Sequence, residues 1–432
     1  MKINTNFSYL TKIPFNYYFN ELKESYKIKI FYLGVFFLPS AFSISALLLI
    51  CSAVLGFLDR EENFFQDKFN ILFSISGLLM ILSCIIQSIF ESNIESTSWD
   101  PVLSWIGLGN FIPFFILTWG FQPYLQTIKQ RKNFCFILLS GSLPVIFTGI
   151  GQVFFKWHGP ISGLFGLITW YLRPTDNGAI TGLTGLFNNA NYTGAWLNII
   201  LPIGLFFLIN ADSKLKKIIT SLFVASIALC IALTNSRSAW IGLILSTQLF
   251  LGKKGMKLIL ILLSVITSLL LISLFNKEIT LLPVEMINKF KNFQYSRIDI
   301  WAKAINIIFE NPIFGTGASS FPEIYKNITG MWKAHSHNLA LELMISYGLP
   351  AAFFTIAPIF SLVYLSCKNI LRKNLSKDFL IDKSLVISML IILLMHMVDI
   401  QYFDGRFSLI FWLLIASIKN ILSKNKKVSF NN

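Results

Sequence analysis

Stretches of about 20 apolar residues recur along this 432-residue chain and limit its fold more than any other feature. A helix needs about 20 such residues to cross the hydrocarbon core of a bilayer. Charged residues are only 13% of the sequence, against roughly 25% in a soluble domain. In lipid every backbone N–H and C=O must be paired internally, so each span must be helical. The sequence therefore predicts an all-α polytopic membrane protein.

The apolar stretches give the positions of the spans. Residues 28–57 form one long stretch that Pro39 interrupts. The other predicted spans lie near residues 69–90, 102–121, 134–153, 190–209, 216–233, 237–251, 257–275, 338–367, 381–398 and 406–422.

Lysine and arginine are concentrated in alternate loops, which predicts the orientation of the chain. The basic segments contain Lys23, Lys27 and Lys29; Lys129, Arg131 and Lys132; Lys214, Lys216 and Lys217; Lys253, Lys254 and Lys257; Lys368, Arg372, Lys373 and Lys377; and Lys424, Lys426 and Lys427. The intervening loops are acidic or neutral, as at Glu91, Glu95 and Asp100. Basic loops stay in the cytoplasm, so residues 28–57 must cross twice, as a hairpin. The pattern predicts about 12 transmembrane helices.

This topology divides the chain into five parts. They are a cytoplasmic N-terminus at 1–27, transmembrane helices 1–9 at 28–275, an extracytoplasmic loop at 276–337, helices 10–12 at 338–422 and a cytoplasmic tail at 423–432. The net charge of +15 then reflects topology and contact with anionic membrane lipids, not nucleic-acid binding. The five cysteines lie in or beside apolar runs and predict neither a disulfide framework nor a metal site.

The long outer loop has the sequence pattern of folded structure. Ser296–Asp299 looks like a capping box, and Pro312 ends the segment that follows. Apolar residues recur in that segment at helical spacing, namely Ile300, Trp301, Ala304, Ile305 and Ile308. We therefore expect an amphipathic helix lying on the bundle with its apolar face down. Gly315–Gly317 predicts a tight turn, and it is not a P-loop because no Gly-Lys-Ser/Thr follows.

Two arginines on the predicted outer face are candidates for an anion site. Arg297 stands in the first turn of the predicted helix, where the helix N-terminus also favours anions and the guanidinium can bind phosphate through two hydrogen bonds. Arg237 stands in a short turn between two spans, close to the membrane. The alternatives are that Arg237 extends to outer headgroups and that Arg297 is an exposed residue at a helix start.

The outer loop re-enters the apolar region at His335–Asn338, which holds two of the four histidines. Histidine is the natural side chain to take a proton from a hydroxyl at neutral pH, so His337 is a candidate general base. A hydrogen-bonded structural histidine is the alternative. His335 and His337 could also ligate a metal, but the sequence shows no cysteine and no obvious third ligand beside them. His158 and His396 are isolated.

Three segments together resemble the O-antigen ligase/polymerase superfamily of membrane glycosyltransferases. They are Gly185–Tyr192 with the span that follows; Ser236–Trp240; and Arg297–Trp301 with Asn311–Gly317 and His337-Asn338. The resemblance covers roughly residues 180–410. His337, Asn338 and Gly348 meet the family's histidine-asparagine-glycine pattern, whereas Ala351 replaces its last glycine.

The resemblance implies a GT-C-like fold in the inner (cytoplasmic) membrane. It also implies transfer of a glycan from undecaprenyl pyrophosphate to a hydroxyl of a lipid or glycan acceptor, without a metal or other cofactor. Arg237 and Arg297 would hold the pyrophosphate, and His337 would be the base, supported by Asn338. The family also places an acidic residue in the last outer loop.

Asp399 is the best match for that acidic residue, and Asp404 is second. The surrounding segment, residues 396–406, is also similar to cyanobacterial members labelled as bicarbonate transporters. An inorganic-carbon transporter should show polar groups at mid-membrane depth, broken helices and often repeats. The sequence shows no repeat, and most spans are continuous apolar runs, which favours the enzyme.

A non-catalytic scaffold or flippase partner is a third possibility. Such a chain would have little need for Arg237, Arg297 and His337 together on one face. Ligation to a lipid core, polymerisation of repeat units and transfer to protein remain open, because these reactions differ in the acceptor.

Overall fold

The structure of the chain, a computed structural model, describes residues 15–89, 99–174, 182–253, 255, 257, 297–370 and 379–429. The helices among these residues are α1 (Phe15–Phe37), α2 (Phe42–Leu58), α3 (Lys68–Ile89), α4 (Val102–Leu108), α5 (Ile112–Phe121), α6 (Ile128–Gly141), α7 (Leu143–Phe154), α8 (Ala190–Ile209), α9 (Lys214–Leu233), α10 (Arg237–Leu251), α11 (Arg297–Glu310), α12 (Phe321–Thr329), α13 (Leu339–Ile370), α14 (Leu380–His396) and α15 (Gly405–Ser429).

Seven helical segments of the described chain are long and apolar enough to cross a membrane. They are Lys68–Ile89, Val102–Leu125, Ile128–Phe154, Ala190–Ile209, Lys214–Leu233, Leu339–Ile370 and Gly405–Ser423. The predicted all-α polytopic class is confirmed, while the count of about 12 spans stays a prediction. The predicted span at 257–275 lies outside the described residues apart from Lys257.

Helices α1 and α2 form an antiparallel pair at the interruption predicted from Pro39. The chain turns at residues 38–41, and the Ser45 hydroxyl donates to the Gly34 carbonyl at 2.6 Å. At the other end of the pair, Lys27 forms an ion pair with Asp59. The hairpin shape is therefore present, although α1 begins at Phe15, well before the predicted start at residue 28.

Three of the predicted spans are interrupted in the structure. The span near 102–121 divides between α4 and α5, and the span near 134–153 divides between α6 and α7 at Ser142. In both cases a proline stands in the first turn of the second helix, where its missing N–H costs nothing. Helix α13 is interrupted at Gly348, whose φ is 82°.

A two-stranded antiparallel hairpin follows α7 and was not predicted. Strand β1 (Ile161–Gly163) pairs with β2 (Ile168–Trp170), and Ile161 lies opposite Trp170. Strands of three residues leave too short a pattern to be recognised from alternation of polar and apolar residues. This hairpin lies at the same end of the bundle as the start of α8.

The middle of the bundle is formed by α8, α14 and α15. Trp196 of α8 and Trp412 of α15 are both fully buried, and the apolar core is continuous around them. Helix α8 packs against α9, α10 and α14. The N-terminal ends of α8 and α15 and the C-terminal end of α14 lie together, and they set the position of the site described below.

Buried charges join helices at the opposite end of the bundle. The Arg131 guanidinium binds the Asp382 carboxylate through two hydrogen bonds of 2.6 and 2.8 Å, and both side chains are almost fully buried. Lys419 binds Asp67 at 2.9 Å. Because α14 runs from Leu380 to His396, these groups are separated from the Asp399 loop by the length of that helix.

Helices α11 and α12 and the first segment of α13 enclose a second, smaller core. The predicted apolar face of α11 is correct for Ile300, Ala304 and Ile308. Ile305 is instead 42% exposed, and Ile307 is buried in its place. The predicted capping residue Ser296 lies outside the described residues.

Candidate active site

Four helix N-termini meet at one end of the bundle, those of α8, α10, α11 and α13. The loop that follows α14 joins them and carries Asp399. Each helix N-terminus presents unpaired N–H groups and the positive end of the helix dipole. The arrangement therefore favours negative charge at this end of the molecule.

His337 and Asp399 form the central hydrogen bond of the site. The His337 Nδ1 atom lies 2.9 Å from Asp399 Oδ1. An ionised carboxylate can only accept, so the proton of the neutral imidazole lies on Nδ1 and Nε2 keeps its lone pair. The pair therefore leaves His337 Nε2 able to accept a proton from a bound hydroxyl.

Asp399 is held by two further donors. The Asn191 side-chain amide donates to Oδ2 at 2.9 Å, and the Ile400 backbone N–H donates to Oδ1 at 3.1 Å. Burial raises the pKa of Asp399, but the hydrogen bond from His337 and the charges of nearby cationic groups outweigh it and hold this pKa below its usual value. Asp399 therefore stays ionised and orients His337.

His335 supports His337 from the other side. Its Nδ1 accepts a hydrogen bond from the His337 backbone N–H at 3.2 Å, and the two rings are 4.4 Å apart. Burial lowers the pKa of His335 to about 4, and the neighbouring cationic groups act in the same direction. His335 is therefore neutral at neutral pH. His337 has a φ of 58°, a left-handed conformation that few non-glycine residues adopt.

Asn338 caps the N-terminus of α13. Its side-chain oxygen accepts from the N–H groups of Ala340 and Leu341 at 3.0 and 3.2 Å. The buried Glu342 carboxylate accepts from the Ser336 N–H at 2.8 Å. These bonds order the turn that carries His337, which suits the supporting position expected for Asn338.

Arg237 and Arg297 lie near one another at the first residues of α10 and α11. Burial lowers the pKa of the half-buried Arg297; the Asp399 carboxylate opposes this shift and the Arg237 guanidinium adds to it. Arg237 is exposed. Arg297 thus lies near both Asp399 and Arg237, and an added anion would relieve the repulsion between the two guanidinium groups.

The two acidic candidates of the last outer loop occupy different surroundings. Asp399 contacts His337, whereas Asp404 binds Arg406, whose Nε donates to it at 2.8 Å. Arg406 is buried and lies 4.2 Å above the centre of the Phe187 ring. Of the two, Asp399 is the one the structure places beside the proposed base.

The structure supplies a third group beside the histidine pair that the sequence did not reveal. His335, His337 and Asp399 offer donor atoms within 4.8 Å of one another, a set that could hold a metal ion. The sequence offered no obvious third ligand because Asp399 lies 62 residues from His337 along the chain. Both Nδ1 atoms are already engaged in hydrogen bonds, so a metal would use other atoms or displace those bonds.

The other histidines have other partners. The exposed His158 bonds to the Lys156 carbonyl at 2.9 Å, and the buried His396 bonds to Gln401 at 3.2 Å. Asn191 is the site residue that sequence reasoning missed. It stood in the quoted Gly185–Tyr192 segment, but nothing in that segment pointed to Asp399.

The loop of residues 311–317 packs against α13 at the break in that helix. The N–H groups of Thr316 and Gly317 donate to the carbonyls of Ile345 and Ser346 at 2.7 and 3.1 Å. Those carbonyls end the first segment of α13 because Gly348 leaves the helical conformation. The turn forms with Gly348 alone, although Ala351 replaces the second glycine of the family pattern.

Two comparisons with known proteins match part of this chain. Residues 222–356 match the family model described as O-Antigen ligase, a range that contains Arg237, Arg297 and His337. A ComP-specific O-oligosaccharyltransferase of Acinetobacter baylyi (strain ATCC 33305 / BD413 / ADP1) is 27% identical over 163 residues. The match covers 35% of this chain and 30% of the relative's length.

Proposed function

We propose that this chain, whose residues 222–356 match the O-antigen ligase family model, transfers a glycan from undecaprenyl pyrophosphate to an acceptor hydroxyl. The transfer takes place at the outer face of the inner membrane, and the chain acts as a metal-independent glycosyltransferase. The observation that carries the proposal is the meeting of His337 and Asp399 beside Arg237 and Arg297.

His337 is the general base in this proposal. During attack its Nε2 takes the acceptor's proton as the acceptor oxygen bonds to the anomeric carbon of the glycan. Asp399 keeps the other proton on Nδ1 and stabilises the imidazolium that forms, as the carboxylate of a catalytic triad does. Asn191 holds the second carboxylate oxygen, so the chain Asn191–Asp399–His337 fixes the direction of the base.

Arg237 and Arg297 bind the leaving group. The bond between the anomeric carbon and the pyrophosphate oxygen breaks, and the leaving undecaprenyl pyrophosphate gains negative charge. Guanidinium groups bind phosphate oxygens through paired hydrogen bonds, and the helix N-termini at which they stand attract the same charge. Such preorganised groups lower the barrier where charge develops.

The acceptor type is the finer part of the proposal. A lipid or glycan acceptor corresponds to a ligase or a polymerase. The Acinetobacter relative is named as specific for ComP, which makes a protein hydroxyl the second candidate acceptor for this chain. In a deletion strain, loss of capped lipopolysaccharide indicates a ligase, single-repeat caps a polymerase, and an altered glycoprotein a protein transferase.

The transporter alternative has less support in the described structure. The broken helices of this chain could suggest a substrate site at mid-membrane depth. At the break at Gly348, however, the loop of residues 311–317 fills that position by hydrogen bonds to α13. The buried pair Arg131–Asp382 joins α6 to α14 at the end opposite the site. An unchanged envelope with slowed carbon uptake in the deletion strain would favour transport.

The test of the proposal is transfer by the purified protein between a lipid-pyrophosphate glycan and its acceptor. His337→Ala should lower turnover by about 10²–10⁴-fold, the usual contribution of general-base catalysis. His158→Ala, which removes an exposed histidine, is the matched control and should keep wild-type turnover. Near wild-type turnover by His337→Ala would exclude this residue as the base.

The same assay tests the proposed anion site and whether the reaction needs a metal ion. Arg237→Lys and Arg297→Lys should both be poor enzymes, because lysine cannot make the paired contact with phosphate. Full activity of both lysine variants would mean that the two arginines contribute only positive surface charge and no paired contact with phosphate. EDTA should have no effect, and loss of activity in EDTA would make His335, His337 and Asp399 metal ligands.

A further inference from the structure

The β-hairpin between α7 and α8 has an exposed apolar tip. Residues 159–172 contain no charged side chain. Ile161, Leu164 and Leu167 are each more than half exposed, and Phe165 at the tip is fully exposed. A contiguous exposed apolar surface of this kind marks contact with a protein or a membrane.

The base of the hairpin lies against the lipid-facing side of α7. The Trp157 ring packs on Phe147, with ring centres 5.2 Å apart, and the Trp157 backbone N–H donates to the Gly151 carbonyl. Phe147 is itself 66% exposed and precedes the end of α7 by about two helical turns. The chain therefore turns back along the helix after Phe154, toward the membrane.

A second anchor joins the hairpin to the turn between α1 and α2. The Trp170 indole N–H donates to the Ser40 carbonyl at 2.8 Å. Trp157, Trp170 and Tyr171 thus stand together at the hairpin base, and such aromatic residues are enriched at the boundary between lipid and water. The exposed apolar surface of α7, formed by Leu143, Phe147 and Phe154, continues into Phe155 and the hairpin.

We propose that the hairpin tip, residues 164–167, inserts into the outer leaflet of the membrane. The occupant of its apolar surface is lipid, because the surface is continuous with the lipid-facing side of α7 and carries no charge. Lys156 and Arg173 flank this segment, and their long basic side chains can reach the headgroup level while the apolar tip enters the lipid.

The hairpin is also fixed to the loop that leads into the candidate active site. The Leu172 N–H donates to the Gly185 carbonyl at 2.9 Å, and the Arg173 N–H donates to the Thr184 hydroxyl at 3.0 Å. That loop continues into α8, where Asn191 holds Asp399. Insertion of the tip would therefore set the depth of this loop relative to the leaflet. The insertion itself does not depend on the proposed activity.

Fluorescence quenching by nitroxide lipids tests the insertion. Phe165→Cys is labelled with a polarity-sensitive dye in full-length protein in nanodiscs, after Cys51→Ser and Cys367→Ala remove the less buried native thiols. Phe360→Cys, at an exposed site on α13, is the lipid-facing control. Lys326→Cys, at an exposed site on α12, is the aqueous control.

The dye at position 165 should show blue-shifted emission and quenching by nitroxide lipids comparable with position 360. Leu167→Cys should behave in the same way, and it controls for an effect of the substitution at Phe165 itself. Emission and quenching at the level of position 326 would overturn the proposal. Blue-shifted emission without quenching would also overturn it, because protein would then cover the tip.

Discussion

At the scale of single residues, the site depends on one carboxylate that is buried yet ionised. Asp399 accepts hydrogen bonds from His337, Asn191 and Ile400, and these bonds offset its loss of hydration. The same bonds determine which imidazole nitrogen of His337 carries the proton. A small change in the donors around Asp399 should therefore change the chemistry of His337 without changing the fold.

Asp399→Asn should test this dependence. The amide would donate to His337 Nδ1 and place the histidine proton on Nε2, which removes the proposed base. The analogous change in a catalytic triad lowers kcat about 10⁴-fold. Steady-state transfer kinetics would measure the loss. Asp404→Asn, in the same loop but bonded to Arg406, should retain far more activity.

Asn191→Ala belongs to the same experiment and should have a smaller effect. It removes one hydrogen bond, worth about 1 kcal/mol or roughly fivefold in turnover. Asp399 would lose a donor that stabilises its charge, so its pKa should rise. The pH below which activity is lost should therefore rise as well. An unchanged pH profile in Asn191→Ala would argue against a positioning function.

His335 should give the protein a pH-dependent stability. Its pKa is about 4 in the folded state and about 6.5 when unfolded, so between these values the unfolded chain binds the proton and the folded chain does not. Stability should therefore fall as the pH decreases from about 6.5 to about 4. His335→Asn should lose less stability over this window, as measured by thermal unfolding. Parallel curves for the two proteins would contradict the assignment.

At the scale of helices, charged contacts at one end of the bundle join elements distant in sequence. Arg131 near the start of α6 reaches Asp382 near the start of α14, and its remaining N–H groups donate to the carbonyls of Leu125 and Gln126. The pair is buried and fully hydrogen-bonded, so loss of one partner leaves a charge with no compensation.

Asp382→Ala should destabilise the protein by about 3–5 kcal/mol, the cost of an unpaired buried charge. Thermal unfolding in detergent would show the loss as a lower Tm. Asp212→Ala, which breaks the exposed pair with Lys216, should leave the Tm unchanged. The double change Arg131→Leu with Asp382→Leu should recover much of the lost Tm, since two apolar groups replace two charges.

At the scale of the whole molecule, the two ends of the bundle differ in chemistry. One end carries the site, the hairpin and the small core of α11 and α12. The other carries the buried ion pairs and the exposed lysines at the start of α9. The positive-inside pattern assigns the first end to the outer face, where a polyprenyl-linked glycan would be presented.

Cysteine accessibility in intact cells tests this orientation. An impermeant thiol reagent should label Lys326→Cys on α12 from outside. It should label Lys214→Cys, at the start of α9, only after the membrane is permeabilised. Both cysteine substitutions would again be made in the protein in which Cys51 and Cys367 are replaced. The reverse pattern would place the site in the cytoplasm and exclude the proposed reaction.

The sequence by itself determined the class of the protein and the main chemical candidates. Backbone pairing in lipid must be satisfied within each helix, so the spans could be predicted from local apolar runs. The turn at Pro39, the helix at α11 and its apolar positions Ile300, Ala304 and Ile308 are local features of the same kind. Arg237, Arg297 and His337 could be named from their positions on the predicted outer face and from the motifs that resemble the superfamily.

Only the tertiary structure decided how those candidates are arranged. Asp399 contacts Asn191, which is 208 residues away in the sequence, and His337, which is 62 residues away. A local sequence pattern does not indicate contacts between residues so far apart. The choice of Asp399 over Asp404, the third possible metal ligand and the partner of Arg131 all depend on such contacts. The break at Gly348 is likewise completed by the N–H groups of a distant loop, because carbonyls freed by the break must find donors elsewhere.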